Sequence, residues 1–109
     1  MTELHEITAA LLKFRNERDW EQFHNAKDLS LALSIEANEL LELFLWKQPE
    51  DADTAKIREE LADVFAYALL LAEKYQFDIR EIILDKIAQN ERKYPVDKAK
   101  GNARKYDQL

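Results

Sequence analysis

Four acidic side chains form two pairs with helical spacing inside otherwise apolar stretches of the sequence. The pairs are Glu36 with Glu39 and Glu60 with Asp63. Residues three apart on an α-helix project from the same face, so each pair can bind at one site. Neither Glu36 nor Glu39 has a basic residue three or four positions away, and like charges at this spacing destabilise a helix. The pattern predicts a divalent metal site, and an all-oxygen ligand set favours Mg²⁺ or Mn²⁺ over zinc.

The competing interpretation of these pairs is an ordinary solvated helix face. One E-x-x-E pair alone is weak support for a site, because acidic residues are common on exposed helices. Here two pairs fall on consecutive amphipathic segments, and Asp63 is followed by the uncharged run 64–72. The repetition and the apolar surroundings favour a functional site.

Four helices are predicted to position the carboxylates, and Asp19 to Lys27 is predicted to be a loop. The spacing of apolar residues and the capping residues give their bounds. The first helix is capped by Thr2 and ends near Arg18; the others are Leu29 to about Lys47 capped by Asp28, about Thr54 to Tyr75 capped by Asp53, and Ile79 to about Lys93 capped by Asp78. The short connection between the second and third helices predicts that they pack antiparallel. The two acidic pairs can then face one another across that interface.

Composition and charge limit the class of protein. The chain has 109 residues, of which 47% are apolar and 35% charged, and a single glycine. This composition is typical of an all-α fold, and the length predicts one domain, residues 1–109. Long apolar helix faces on so short a chain predict that another subunit covers some of them. A predicted buried stripe on the third helix contains Ile57, Leu61, Val64, Phe65, Leu69 and Ala72.

The charge balance and the absence of targeting features bear on partners and location. A formal net charge of −6 argues against binding a nucleic acid polymer or an anionic membrane. The longest uncharged apolar run, 64–72, is too short to span a bilayer. There is no cysteine, and the first ten residues do not resemble a secretory signal. A cytoplasmic protein is therefore expected.

Several segments together resemble a known family, the MazG-like all-α nucleoside triphosphate pyrophosphohydrolases. The family pattern is E-x-x-E, a spacer and E-x-x-D, which Glu36, Glu39, Glu60 and Asp63 match. The resemblance is closest to the dCTP pyrophosphatase branch and covers almost the whole chain. The segments that carry it are Arg18 to His24, Glu39 to Lys47, Glu59 to Val64, Asn90 to Pro95, and Lys105 with Tyr106.

The resemblance implies a fold, an assembly and a reaction. The fold would be a four-helix MazG-like bundle with a basic C-terminal tail, assembling through helix packing into a homotetramer, a dimer of dimers. The reaction would be Mg²⁺-dependent hydrolysis of a nucleoside triphosphate, dCTP or modified dCTP, to the monophosphate and pyrophosphate, as house-cleaning of the nucleotide pool. The four matching carboxylates would hold the metal and act in catalysis, with Glu36 or Glu39 as the general base.

Substrate contacts are also implied by the resemblance. Trp20 and Trp46 match positions that line the family's base pocket, and Tyr67, one turn after Asp63, also fits a ring that stacks on a base. Lys86 and Asn90 match positions that contact the nucleotide, while basic residues near the C-terminus could close over the triphosphate. For each residue the alternative is ordinary packing or a solvated face. The expected substrate-binding set is Trp20, Trp46, Tyr67, Lys86, Asn90, Lys105 and Tyr106.

Some residues depart from the family pattern. Ile35 stands where many MazG-like proteins have glutamate, and Asn38 stands where glycine is frequent. An apolar residue around Leu11 replaces a histidine that dCTP pyrophosphatases present to the base. Neither of the first two changes removes a metal ligand, whereas the third bears directly on the preference for cytosine.

Two other interpretations stay open at the level of sequence. A di-iron carboxylate bundle would need E-x-x-H on two helices, and Glu21-x-x-His24 is a single match inside a predicted loop. A non-catalytic helical module that binds a nucleotide or a partner is the alternative from another class. The presence of all four acidic residues favours the enzyme.

Overall fold

The computed structural model describes residues 2–109 and is helical, with no strand among those residues. The prediction of an all-α chain is confirmed. The helices are α1 (Glu3–Glu17), α2 (Ala26–Glu42), α3 (Thr54–Lys74), α4 (Ile79–Lys93) and α5 (Val96–Ala99), with short 3₁₀ helices at Glu21–Phe23, Pro49–Asp51 and Tyr106–Gln108. Among the described residues, no helix has both the length and the apolar character needed to cross a membrane.

The helix starts follow from side-chain caps, three of which were predicted. The Thr2 hydroxyl accepts a hydrogen bond from the His5 amide at 3.2 Å. Asp53 accepts from the amide of Ala55 at 3.0 Å, and Asp78 accepts from an amide in the first turn of α4. Each oxygen satisfies an amide that has no partner within its own helix, and so defines the first residue of that helix.

The predicted bounds of α2 are wrong at both ends. Its cap is Asn25, whose Oδ1 accepts from the Asp28 amide at 2.8 Å while its Nδ2 donates to the Asp28 carboxylate at 2.7 Å. Asp28 therefore occupies the first turn of the helix. At the other end, the amide of Phe44 donates to the Leu41 carbonyl, one residue closer than in an α-helix, and Trp46 has a φ of 63°. The tightened turn and the left-handed residue end α2 before Lys47.

The chain forms two compact units, one ending at Gln76 and the other spanning Phe77–Leu109, and a single domain stays a prediction. In the first unit α3 packs against α2 and α1. Its core includes Leu29, which is 1% exposed, together with Leu69, Leu70 and Ala72. In the second unit, α4 is followed by α5 and a 3₁₀ helix, two short elements that the sequence did not predict.

Part of the predicted buried stripe of α3 is exposed in the single chain. Leu69 and Ala72 are buried as predicted, but Leu61 is 40% exposed and Phe65 is 62% exposed. Within one chain the prediction of a buried stripe is wrong for these two positions, because the described helices leave that part of α3 uncovered. Large apolar side chains are also exposed on α2 and α4, among them Leu31, Ile35, Leu41, Ile83 and Ile87.

Candidate functional site

Three carboxylates from two helices meet in the first unit. Glu36 lies on α2, and Glu60 and Asp63 lie on α3. One oxygen from each of the three lies within 4.8 Å of the others. The spacing of three residues between Glu60 and Asp63 puts both on the face of α3 that meets α2. Glu39, one turn after Glu36, is outside this group of three but close enough to act on the titration of Glu36 and Glu60.

Crowding changes the acidity of the cluster. Burial raises the pKa of Glu36 to about 7, and close contact with the Glu39 and Glu60 carboxyl groups and repulsion from Glu39 and Asp63 contribute in the same direction. Burial also raises the pKa of Glu60; contact with Glu36 lowers that pKa, whereas Glu39 and the charge of Asp63 raise it further. Without a cation, the arrangement favours a proton held between Glu36 and Glu60 over full ionisation.

The cluster fits a hard divalent cation. The Oε2 atoms of Glu36 and Glu60 are both buried and have no hydrogen-bond partner. Among residues 2–109, the ion pairs are Lys13 with Glu17 and Arg15 with Glu21, and neither involves the cluster. Buried oxygens that lack donors need a counter-charge. Carboxylate oxygens are the ligands that Mg²⁺ and Mn²⁺ prefer.

The raised pKa of Glu36 predicts that the metal-free protein loses stability as the pH rises. The pKa of Glu36 is about 7 in the folded protein, against an ordinary value of 4.5. The contribution of protonated Glu36 to folding stability is therefore fully present below pH 4.5 and is lost as the pH rises through about 7. Between about pH 5 and about pH 8 we expect the melting temperature to fall by several degrees. Thermal unfolding in chelator measures this fall. Glu36→Gln should flatten the profile, and a flat wild-type profile would contradict the assignment.

A cavity of about 180 Å³ adjoins the carboxylates, since Asp63 belongs both to its lining and to the cluster. Aromatic and aliphatic side chains form most of its wall. Trp20 packs edge-on against Phe14 with ring centroids 5.7 Å apart, and the Trp20 amide donates to the Arg15 carbonyl at 3.1 Å. The lining residues are Leu11, Phe14, Arg15, Trp20, His24, Asp63, Ala66, Tyr67 and Leu70. A flat aromatic ligand can stack on such walls.

Tyr67 links the cavity to the carboxylates. Burial raises the pKa of its hydroxyl, and the charges of Glu36, Asp63 and Glu39 raise it further. The phenol therefore stays protonated at neutral pH and can donate a hydrogen bond. Tyr67 and Trp20 are the two residues of the expected substrate-binding set that line this cavity.

Two polar residues of the cavity were missed as site residues from the sequence. Arg15 is 5% exposed, and its Nη1 is buried without a hydrogen-bond partner. Burial lowers the pKa of His24, and the positive charges of Arg15 and Lys74 lower it further. His24 is therefore neutral, and its Nδ1 is also buried and unpaired. A signal for Arg15 was present, because it lies one helical turn after Leu11 and on the same side of α1 as Leu4 and Leu11.

The other expected substrate contacts lie outside the cavity. The Trp46 side chain is fully exposed, and its role stays a prediction. Lys86 and Asn90 lie on α4 in the second unit, where Lys86 donates to Gln89 at 3.4 Å. Tyr106 packs against Tyr94 and lies 4.9 Å from the Lys93 Nζ, and Lys105 is the residue before it. The roles of these four residues stay predictions as well.

The single match to a di-iron pattern does not join the carboxylate cluster. His24 lines the cavity, and Glu21 lies on the short 3₁₀ helix with its carboxylate 3.8 Å from Arg15. The group of three oxygen ligands in residues 2–109 contains neither of them. The site is an all-carboxylate cluster beside an aromatic cavity.

Comparisons with known proteins agree with this geometry. A model of the MazG-like family matches residues 31–109, the range that contains all four acidic residues. dCTP pyrophosphatase 1 of Bos taurus is 40% identical over 97% of this chain and 68% of its own length. The Homo sapiens protein of the same name is 39% identical over 97% of this chain and 67% of its own length. The crystal structure of a pyrophosphatase from Archaeoglobus fulgidus has a TM-score of 0.81 and 34% identity, over 87% of this chain and 94% of that one.

Proposed function

The chain belongs to the MazG-like family and is a pyrophosphohydrolase, and we propose that it hydrolyses dCTP to dCMP and pyrophosphate. The observation that carries the proposal is the shared position of Asp63, which lines the aromatic cavity and also belongs to the carboxylate cluster. A base bound in the cavity leaves its phosphates beside the cluster. The enzymatic nature of the relatives sets the non-catalytic alternative aside.

The metal proposed for this site is Mg²⁺, with Mn²⁺ as an alternative. Glu36, Glu60 and Asp63 would hold it, with Glu39 completing the acidic set. A bound divalent ion would neutralise phosphate charge and lower the pKa of a water ligand. The unpaired oxygens of Glu36 and Glu60 support this assignment.

The other roles in the proposed reaction belong to side chains of the protein. Trp20 and Tyr67 hold the base, which orients the triphosphate towards the carboxylates. Glu36 or Glu39 accepts a proton from the attacking water. Attack breaks the bond between the α-phosphorus and the bridging oxygen, and pyrophosphate leaves. In this proposal Trp46, Lys86, Asn90, Lys105 and Tyr106 add contacts to the nucleotide.

The proposed assembly is a homotetramer, a dimer of dimers built through helix packing. Apolar side chains exposed on α2 and α4 support it, because surfaces of this kind on a monomer are often subunit interfaces. In this assembly a partner subunit would also lie beside the exposed Trp46 side chain. The proposed cellular task is removal of excess or modified deoxynucleotides in the cytoplasm. Light scattering coupled to size exclusion measures the subunit number directly.

A substrate panel tests the reaction. Pyrophosphate release is measured with Mg²⁺ from the canonical deoxynucleoside triphosphates and 5-methyl-dCTP, and the monophosphate is identified by chromatography. We expect dCTP or its 5-substituted form to have the highest kcat/KM. Equal rates on all bases would contradict the proposed substrate, and release of inorganic phosphate alone would contradict the reaction.

Trp20→Ala should weaken nucleotide binding more than turnover. Loss of one ring that stacks on a base costs about 1–3 kcal/mol, so we expect KM for dCTP to rise by about tenfold or more. Steady-state kinetics give both constants. Phe23→Ala is the matched control, since Phe23 is exposed on the adjacent 3₁₀ helix and does not line the cavity. An unchanged KM for Trp20→Ala would remove Trp20 from the binding site.

A further inference from the structure

The cavity contains a buried guanidinium that the proposed mechanism does not use. Arg15 is 5% exposed and lines the cavity together with Trp20 and Tyr67. Its Nε donates to Asn16 at 3.1 Å, and its Nη2 lies 3.8 Å from the Glu21 carboxylate. Its Nη1 is buried with no partner. A buried donor that stays unpaired is costly, so a ligand that supplies an acceptor there gains binding energy.

The chemistry of Arg15 limits which group can pair with it. A guanidinium donates hydrogen bonds and cannot accept them. His24 is neutral and so does not repel the guanidinium, and Leu11, one turn before Arg15, contributes an apolar side chain to the cavity. Because aromatic side chains and Arg15 line the same cavity, the complementary ligand is a flat ring with acceptor atoms on its edge. Cytosine has two adjacent acceptors, N3 and O2, whereas uracil and thymine carry a hydrogen on N3.

We propose that Arg15 is the residue that selects cytosine over uracil and thymine, with Nη1 donating to the N3 and O2 edge of the base. The proposal rests on the proposed function, which places the base in this cavity. Uracil in the same position would set an N3–H donor against the guanidinium and leave O2 as the one acceptor for it on that edge. A site built to hydrogen-bond one edge rejects an analogue that lacks the matching group far more strongly than an apolar wall does.

The test is the ratio of kcat/KM for dCTP to kcat/KM for dUTP. We expect wild type to prefer dCTP and Arg15→Met to reduce the preference by about tenfold or more, as for loss of a good base-edge contact. Lys13→Met is the control, because Lys13 is an exposed cation on the same helix outside the cavity, and it should keep the wild-type ratio. Equal losses on both substrates in Arg15→Met would overturn the proposal and assign Arg15 to the phosphates or to packing.

A second measurement uses the wild-type protein and does not depend on whether a variant folds. Wild type is assayed with 2-thio-dCTP, in which sulfur, a weaker acceptor, replaces O2. We expect kcat/KM to fall by about tenfold relative to dCTP, and equal values would overturn the contact. The two proposals fail differently: wild type inactive on dCTP refutes the proposed function, whereas an active enzyme without preference for dCTP over dUTP refutes only the role of Arg15.

Discussion

Glu36→Gln should lower kcat for dCTP hydrolysis by about 10²–10⁴-fold, the range for removal of a group that transfers a proton in the transition state. Glu36 is the residue of α2 that joins Glu60 and Asp63 of α3 in the carboxylate cluster, and its Oε2 is buried without a hydrogen-bond partner. Glutamine keeps the size of the side chain but removes the charge and the capacity to accept a proton. Pyrophosphate release under saturating substrate measures the loss.

The control for this substitution is Glu42→Gln. Glu42 is the exposed last residue of α2 and lies outside the carboxylate group, so we expect it to keep wild-type turnover. Glu36→Gln should also fold at least as stably as wild type without metal, because it removes a crowded charge. Retained turnover in a folded Glu36→Gln protein would refute the proposed role of Glu36.

The helices were predictable from local rules, and the errors fall where local rules compete. Asp53 and Asp78 cap α3 and α4 because each side-chain oxygen directly precedes an apolar helical pattern and accepts a hydrogen bond from an amide in the first turn. At the start of α2, both Asn25 and Asp28 can serve as caps. The structure uses Asn25 and binds Asp28 back to it, a choice that the identity of either residue alone does not decide.

The carboxylates were predictable because their chemistry is visible along the chain. Spacing placed Glu60 and Asp63 on one face, and the lack of cations near Glu36 indicated an external ion. The sequence allowed Glu36 of α2 to lie level with Glu60 and Asp63 of α3 but did not predict it. The connection between the two helices has a left-handed residue at Trp46 and continues through a 3₁₀ helix. That geometry depends on packing, which local patterns do not encode.

The polar part of the cavity could not be predicted in the same way. Arg15 belongs to α1, His24 follows the first 3₁₀ helix, and Tyr67 belongs to α3. Their common cavity comes from the tertiary arrangement of the first unit. A lone arginine in an apolar helical row is more often a residue whose long stem packs while its charge reaches water. Only its burial with an unpaired Nη1 separates the two cases.

Removal of divalent metal should abolish turnover of the wild-type enzyme. At pH 8 Glu36 is mostly ionised, since its raised pKa is about 7, and its negative charge then repels an anionic triphosphate. With charge stabilisation of several kcal/mol lost, we expect chelation to lower the rate by about 10³-fold or more. Added Mg²⁺ or Mn²⁺ should restore it. Activity that persists in metal-free buffer would refute the metal assignment.

Calorimetric titration with Mg²⁺ separates loss of metal binding from loss of chemistry, because it requires no substrate. Glu60→Gln should bind Mg²⁺ more weakly than wild type, since Glu60 supplies one of the three clustered oxygens. Glu59→Gln is the neighbouring control: Glu59 is exposed and lies outside that group. If both variants bind Mg²⁺ like wild type, Glu60 is not a ligand. If both lose binding equally, the general acidity of α3 attracts the ion, and the three clustered oxygens do not form a defined site.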